Sequence, residues 1–400
     1  MRLAVVNQFY APDISPTAQL AASLAEHRAD RGDEVTVITG RAGYLEGLAQ
    51  ARAAREHPSL RVRRVWTPDL GKSTLARRLT GYATFLLGSV LRLLVGPRQD
   101  VIVAMTTPPL VVLGAVLHKL CHPSTKVVLW SMDCYPDAAE RFGELRPGAW
   151  LSRLLRALNR RLFAHIDDVV ALDGAMAELL AQYATAGREP RFHVVPNWER
   201  ASLFPPVEPG GLPPWKGYDA MEVGERSIVV YLGNTGVGHR FDTVLDAAAR
   251  LEDDAVFVFI GGGARWSDLV ADARARGLTN VAFHGYVAKD ETPAVMAGAA
   301  GALITLDDRS LGVMSPSKLH ANLAAGLPIV YVGPEGSNVD EAIRACGCGY
   351  SLRHGDVDGV VAAVRGLRSA TDLRGRARRA FEERYCDEAT LPRFDAVLDA

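Results

Sequence analysis

Cysteine is scarce in this chain of 400 residues, with five in all: Cys121, Cys134, Cys346, Cys348 and Cys386. That number and its irregular spacing exclude a disulfide framework and lead us to expect free thiols in a reducing compartment. Cys346 and Cys348 lie close together, but no second Cys/His pair sits near them at zinc spacing, so no metal centre is expected. Asp307-Asp308 is a loop pair of carboxylates, ordinarily solvated, and no metal is expected there either. Long apolar runs are also missing. The most apolar stretch, YATFLLGSVLRLLVG (82–96), carries Arg92 and is shorter than the roughly 20 residues that span a bilayer; it is not expected to cross one. MRLAVVNQFY opens with a buried-strand pattern and no small-residue cleavage site, so no secretory signal is expected. There is no G-x-x-x-x-G-K-[ST] loop and no G-x-S-x-G elbow, which argues against an NTPase and an α/β-hydrolase.

Hydrophobic residues make up 48% and charged residues 23%, as in ordinary globular proteins. Four hundred residues exceed what one core usually serves, so two domains are expected. Apolar, β-rich runs alternate with helical patterns: LAVVN (3–7), EVTVIT (34–39), VRRVW (62–66), DVIVAM (100–105), KVVLW (126–130), DDVVAL (167–172) and FHVVP (192–196). Near-continuous Val/Ile/Leu runs separated by helices predict a parallel sheet covered on both faces. A Pro/Gly-rich stretch follows, and the alternation restarts with SIVVYLG (227–233), AVFVFIG (255–261), NVAFHG (280–285), GALITL (301–306) and PIVYVG (328–333). The pattern predicts an α/β protein of two doubly wound, Rossmann-like domains. Their expected bounds are 1–203 and 227–388, with a linker at 204–226 and a helix at 389–400 packing back on the first domain. Ligands of such sheets bind beyond the carboxyl ends of the strands.

The net charge of −1 hides an asymmetry: residues 1–200 hold 25 Lys and Arg against 19 Asp and Glu, the remainder 20 against 27. The excess collects at 52–98, with its densest part, 61–98, around the apolar run. Such a patch suits an anionic membrane surface and equally a solvated face over a core helix. No nucleic-acid partner is expected.

Three stretches carry the chemistry. Ser315-Pro316-Ser317-Lys318 follows a strand and reads as a capped helix start with a lysine in its first turn, closed by Gly326. Ser15-Pro16-Thr17 repeats the pattern in the first half. A helix start offers unpaired N–H groups that suit phosphate, and one in each half favours a diphosphate. Gly233-Asn234-Thr235-Gly236-Val237-Gly238-His239-Arg240 ends the strand at 227–233; its glycines admit a ligand to the backbone, and Arg240 can neutralise phosphate. It is not G-x-G-x-x-G, so a dinucleotide cofactor is not expected. Gly261-Gly262-Gly263 and Gly285-Tyr286-Val287 end two further strands; the latter can hold a nucleobase. In the first half, WSMDCYPD places Asp133, Tyr135 and Asp137 past a strand, suited to sugar or acceptor hydroxyls, with Thr106 and Thr107 at a neighbouring strand end.

Taken in order, QFYAPD-x-SPT, RGDEVTVIT, WSMDCYPD, VVPNW, YLGNTG, GGG, FHGYV and PSKLHANLAAG resemble the GT-B glycosyltransferases of family 4. Within that family they are similar to the branch of WcaI- and WbuB-like transferases of bacterial surface-polysaccharide synthesis. The resemblance spans the chain except 205–226. It implies retaining transfer from a nucleotide diphosphate-sugar held by the second domain to an acceptor held by the first, across an interdomain cleft, with no cofactor and no obligatory metal. Carried over by motif, Met314, Ser315, Ser317 and Lys318 would hold the diphosphate and Gly285-Tyr286-Val287 the base. Gly233 to Gly236, His239, Arg240 and Gly262 would line the phosphate side. Asp133 stands where the family often has His-Asp, after Met132, and with Lys318 and Arg240 makes up the expected catalytic set. Two family glutamates fall here on Val313 and Ala321, and the Arg and Lys of the family's glycine loop on Asn234 and His239. The resemblance further implies a cytoplasmic protein, at the inner face of the membrane if its acceptor is a lipid-linked sugar. The alternatives are a small-molecule acceptor, a nucleotide-sugar epimerase or a non-catalytic partner subunit.

Overall fold

The computed structural model describes residues 1–13, 15–41, 55–68, 75–204, 213–221, 223–288 and 291–400. They form two compact units, Met1–Pro196 with Leu391–Ala400, and Asn197–Thr390. In the first unit the order is β1 (Arg2–Val6), α1 (Pro16–Asp30), β2 (Glu34–Gly40), β3 (Leu60–Val65), α2 (Leu75–Val95), β4 (Val101–Met105), α3 (Val112–Cys121), β5 (Lys126–Trp130), α4 (Asp137–Arg141), α5 (Trp150–Phe163), β6 (Asp168–Ala171), α6 (Gly174–Ala181) and β7 (Arg191–Val194). All pairings are parallel, in the order β3-β2-β1-β4-β5-β6-β7. Central strands such as β1 and β4 are buried on both faces, which is why their sequences are unbroken runs of apolar residues.

The second unit runs β8 (Ser227–Asn234), α7 (Asp242–Ala249), β9 (Ala255–Gly262), α8 (Trp266–Ala275), β10 (Val281–His284), α9 (Thr292–Ala297), β11 (Gly301–Thr305), α10 (Lys318–Ala324), β12 (Ile329–Val332), α11 (Asn338–Cys346), β13 (Gly349–Leu352), α12 (Val357–Gly366), α13 (Thr371–Ala380) and α14 (Asp387–Asp399), whose second half belongs to the first unit. Its sheet is parallel in the order β10-β9-β8-β11-β12-β13. Two apolar layers sandwich it: one gathers Val258, Ile304, Leu319 and Phe381, the other Tyr231, Phe257, Phe259 and Val364.

Three departures from the sequence expectations are informative. α2 is longer than its apolar run, and Arg77–Val95 is long and apolar enough to cross a membrane by length and composition. Its inner side nevertheless belongs to the first unit: Phe85, Ser89 and Leu93 are buried, and Gly88 lies so close to Val65 that a side chain there would overlap it. Within 204–226, residues 205–212 and 222 fall outside the described residues. Residues 213–221 are packed rather than free, with Trp215 donating to Glu291 (3.1 Å) and the Tyr218 hydroxyl to the Val295 carbonyl (2.6 Å). β13 was not expected, because its four half-buried residues GYSL carry no apolar run.

Residues 391–400 lie on the first unit through an edge-on pair, Phe394 with Trp130 (4.6 Å between centroids), and through Arg28. The Arg28 guanidinium, almost fully buried, donates to Asp33 (2.6 Å), Asp395 (2.8 Å) and Asp399 (2.7 Å). These bonds hold its pKa well above that of a free arginine against the cost of burial.

Candidate active site

In each sheet the strand order reverses once, between β1 and β4 and between β8 and β11, and a ligand crevice opens beyond the strand ends at such a reversal. In the second unit the crevice is built of glycine backbone and one ammonium. Gly233 sits at φ 120° and Gly261 at φ 143°, where a side chain would strike the Gly233 carbonyl. With no side chain at Gly233 or Gly261, the β8 end stays open to Lys318. Lys318 Nζ donates to the Asn234 carbonyl (2.9 Å), lies 3.4 Å from His239 Nε2 and stands 4.8 Å from the centroid of the Tyr231 ring. The His239 Nδ1 faces the Thr305 carbonyl at 2.6 Å, so Nδ1 carries the proton and bare Nε2 is turned to the lysine. Burial, with Lys318 beside it, pushes the His239 pKa down to about 3 and keeps it neutral.

Burial also lowers the Lys318 ammonium from its ordinary 10.5 to about 7. An anion bound there raises it again, so above about pH 7 binding takes up a proton, and affinity falls as pH rises. At pH 6 the lysine is already charged and no uptake is expected. Calorimetry of nucleoside diphosphate binding in buffers of different ionisation enthalpy should give close to one proton taken up at pH 8.5 and none at pH 6. Equal values at both would show that Lys318 does not meet the anion.

The helix start itself differs from expectation. α10 begins at Lys318, not at Pro316; Ser317 occupies the cap position in helical conformation, and no side chain caps it. Ser315 is thus a loop residue before the helix, and Ser317 is exposed. Gly326 does end it, at φ 65°. Met314 packs under the glycine loop, its sulfur at the place a Gly238 side chain would occupy. Arg240 is a second correction: its Nε donates to Asp242 (2.8 Å) on the surface, so its charge is already met, and the cation beside the strand ends is Lys318. Thr235 is buried and donates through N (2.7 Å) and Oγ1 (3.1 Å) to the Gly262 carbonyl, which ties the β8 loop to β9. Gly236 carries the loop onward, and its carbonyl accepts from His239 N. Tyr286, 44% exposed, lies against Gly262; Gly285 is open on its side-chain face, and Val287 is half-buried. Val313 is fully buried and Ala321 packs on the core, so neither position offers a polar group.

In the first unit Asp133 stands past β5. Thr106 Oγ1 accepts from Met132 N (2.9 Å) and Asp133 N (3.1 Å), which fixes the turn, while no described residue donates to the Asp133 carboxylate. Burial raises its pKa to about 6. Burial, with the Asp133 charge nearby, raises the pKa of the Tyr82 and Tyr135 phenols. The Thr107 carbonyl accepts from Gln8 N (2.9 Å) at the β1/β4 reversal. Asp137 is a correction: its buried carboxylate accepts from Arg156 (2.7 Å), Gln182 (3.1 Å) and Tyr183 (2.5 Å), so it anchors α5 and α6 instead of meeting a ligand. Ser15 caps α1 through Ala18 N (3.3 Å) and is buried, whereas Thr17 is half-exposed in the first turn. Sequence reasoning passed over Asn7 and Gln8, buried at the β1 end with Oδ1 and Oε1 unsatisfied among the described residues, and Tyr231, whose hydroxyl shares the Asn234 carbonyl with Lys318. Two polar residues ending an apolar strand were the available signal.

Comparison with known proteins agrees with the two-sheet fold. Residues 17–198 match the glycosyl transferase 4-like domain and residues 226–369 the glycosyl transferases group 1. WbjE of Pseudomonas aeruginosa, named a glycosyltransferase, is 25% identical over 75% of this chain and 74% of its own. WcaI of Escherichia coli, named a colanic acid biosynthesis glycosyl transferase, is 25% identical over 82% of each. Among solved structures, Anabaena HepE in complex with UDP and glucose superposes with a TM-score of 0.71 at 14% identity, over 100% of this chain and 99% of that one. With two doubly wound sheets and a family match over each, the chain belongs to the GT-B glycosyltransferases of family 4.

Proposed function

We propose that this glycosyltransferase moves a sugar, with retention of configuration, from a UDP- or GDP-linked donor to the hydroxyl of a lipid-linked sugar in surface-glycan synthesis. The observation that carries the proposal is the Lys318 ammonium held by the Asn234 carbonyl, the neutral His239 imidazole and the Tyr231 ring at the strand reversal of the second unit. HepE, solved with UDP and glucose, favours a uridine donor, and the names of WbjE and WcaI favour a glycan pathway. The diphosphate lies on Lys318 and the open glycine backbone, with the base toward Gly285-Tyr286-Val287. As the bond from the anomeric carbon to the phosphate oxygen breaks, Lys318 meets the growing negative charge. The acceptor oxygen bonds to that carbon and its proton passes to the departing phosphate. No metal is required, since the ammonium supplies the countercharge. The protein works on the cytoplasmic side of the membrane, with 61–98 as its peripheral contact. Titration with UDP and with GDP tests the donor site directly, and binding of neither would refute the proposal.

Asp133 orients the acceptor. Its pKa of about 6 leaves it ionised at neutral pH, able to accept from a sugar hydroxyl. Asp133→Asn is expected to lower turnover roughly a hundredfold with the UDP affinity unchanged. A parallel loss of UDP binding would move this residue out of the acceptor role.

A further inference from the structure

The connections β3 to β4, β4 to β5 and β5 to β6 all cross the first unit's sheet in one direction, so right-handed crossovers place α2, α3 and α5 on one face. α2 packs on α3, and α3 on α5. The outer side of α2 is an apolar stripe: Leu79, Leu87, Leu91, Leu94 and Val95 are exposed, Leu87 by 70%. A spacing of four residues keeps such side chains on one helical side. α5 was not singled out from sequence, yet it continues the surface. Trp150 is 70% exposed, Leu151 and Leu154 lie beside it, and Arg153, Arg160 and Arg161 are exposed with them. Of the four arginines of α5 only Arg156 is paired, to Asp137 and Glu140; the other three make no ion pair among the described residues.

Asn159, two turns and a half into α5, donates to the Tyr135 carbonyl just past the end of β5 (2.7 Å). The nine residues before it therefore rise by up to about 13 Å beyond the strand ends. Arg78, one turn into α2, pairs with Glu144 of the loop leading to α5 (3.4 Å), which sets the two helix starts side by side. Tyr82 of α2 and Tyr135 past β5 both lie within reach of the Asp133 charge. A second exposed indole, Trp66, follows β3 on the same rim of the sheet and is 62% exposed.

We propose that the outer face of α2 and the exposed side of α5 together rest on an anionic lipid bilayer. Apolar side chains ringed by unpaired arginines, with indoles at the margin, match the layered chemistry of a headgroup interface. A second copy of the chain fits poorly, since a two-fold contact would set the α5 arginines against one another. This extends the contact assigned to 61–98 to a composite surface. It rests on the lipid-linked acceptor only for its purpose, which is to turn Asp133 toward sugars carried at the bilayer.

The test is co-sedimentation of the full chain with vesicles of phosphatidylcholine alone and of phosphatidylcholine with phosphatidylglycerol. Wild type should pellet with the anionic vesicles and lose this in high salt. The triple variant Arg153→Glu, Arg160→Glu, Arg161→Glu should bind them on the order of a hundredfold more weakly with an unchanged circular dichroism spectrum. Brominated lipids should quench wild type more than Trp150→Phe, a readout that stands if the triple variant folds poorly. Equal pelleting on both vesicles, no quenching difference, or a dimer in solution that Trp150→Ser dissolves would overturn the proposal. Transfer to a soluble acceptor is read separately: its loss with vesicle binding intact counts against the proposed function, and the converse against this surface alone.

Discussion

Lys318→Ala is expected to lower kcat/KM by about two to three orders of magnitude, since one well-placed donor to a developing oxyanion is worth roughly 3–4 kcal/mol. Stability should not follow. Between pH 7 and 10.5 the unfolded chain holds a proton on this lysine that the folded chain has largely released. Stability therefore rises with pH across that window, and below it the folded state bears the full cost of a desolvated ammonium. Removing the ammonium removes that cost, so the unfolding midpoint should stay level or rise. Arg240→Ala, which loses a cation already paired with Asp242 on the surface, should change kcat/KM less than about tenfold. Steady-state kinetics and thermal unfolding of both variants decide the matter, and an unaltered kcat/KM in Lys318→Ala would refute the donor site.

The second large effect is on stability, and Arg28 carries it. Arg28→Ala takes the buried guanidinium from Asp33, which keeps the Met1 ammonium (2.7 Å), and from Asp395, which keeps His27 (2.8 Å) and Arg31 (3.6 Å), so the loss should approach but not exceed the about 3–5 kcal/mol of a buried pair broken on one side. Arg31, half-exposed beside Asp395 and Asp399, should cost under about 1 kcal/mol when replaced by alanine. Urea unfolding of the two variants beside wild type measures both. A loss below about 1 kcal/mol in Arg28→Ala would mean that the carboxylates find water or protons at little cost.

Much of the fold was legible because fully buried parallel strands need unbroken apolar runs, and helices between them need a different period. β13 escaped because a short edge strand packs on one side only, so GYSL has no pattern to show. The site was legible where chemistry and backbone demand coincide, as in the glycines of the β8 loop and the lysine after Pro316. Partnership was not legible. Asp137 carries the same charge as Asp133, and nothing local to it tells that it is spent on Arg156 and Tyr183; Arg240 has Asp242 two residues on, but proximity along the chain does not tell that the two pair on the surface. Nor does the sequence near Ser315 reveal that the helix waits two residues longer to begin. α5 hid its surface for a related reason: an amphipathic helix reads alike whether its polar side faces water or a headgroup layer.

The return of residues 391–400 to the first unit also orders the life of the chain on the ribosome. The second unit is continuous from Asn197 to Thr390 and can close its sheet as soon as that stretch has emerged. The first unit is translated earlier, yet Trp130 lacks Phe394, and Arg28 lacks Asp395 and Asp399, until the later unit has been made. Domains ordinarily mature in the order of synthesis; here the first-made half gains its last helix, and Arg28 two of its three carboxylates, only once residues 391–400 have been made.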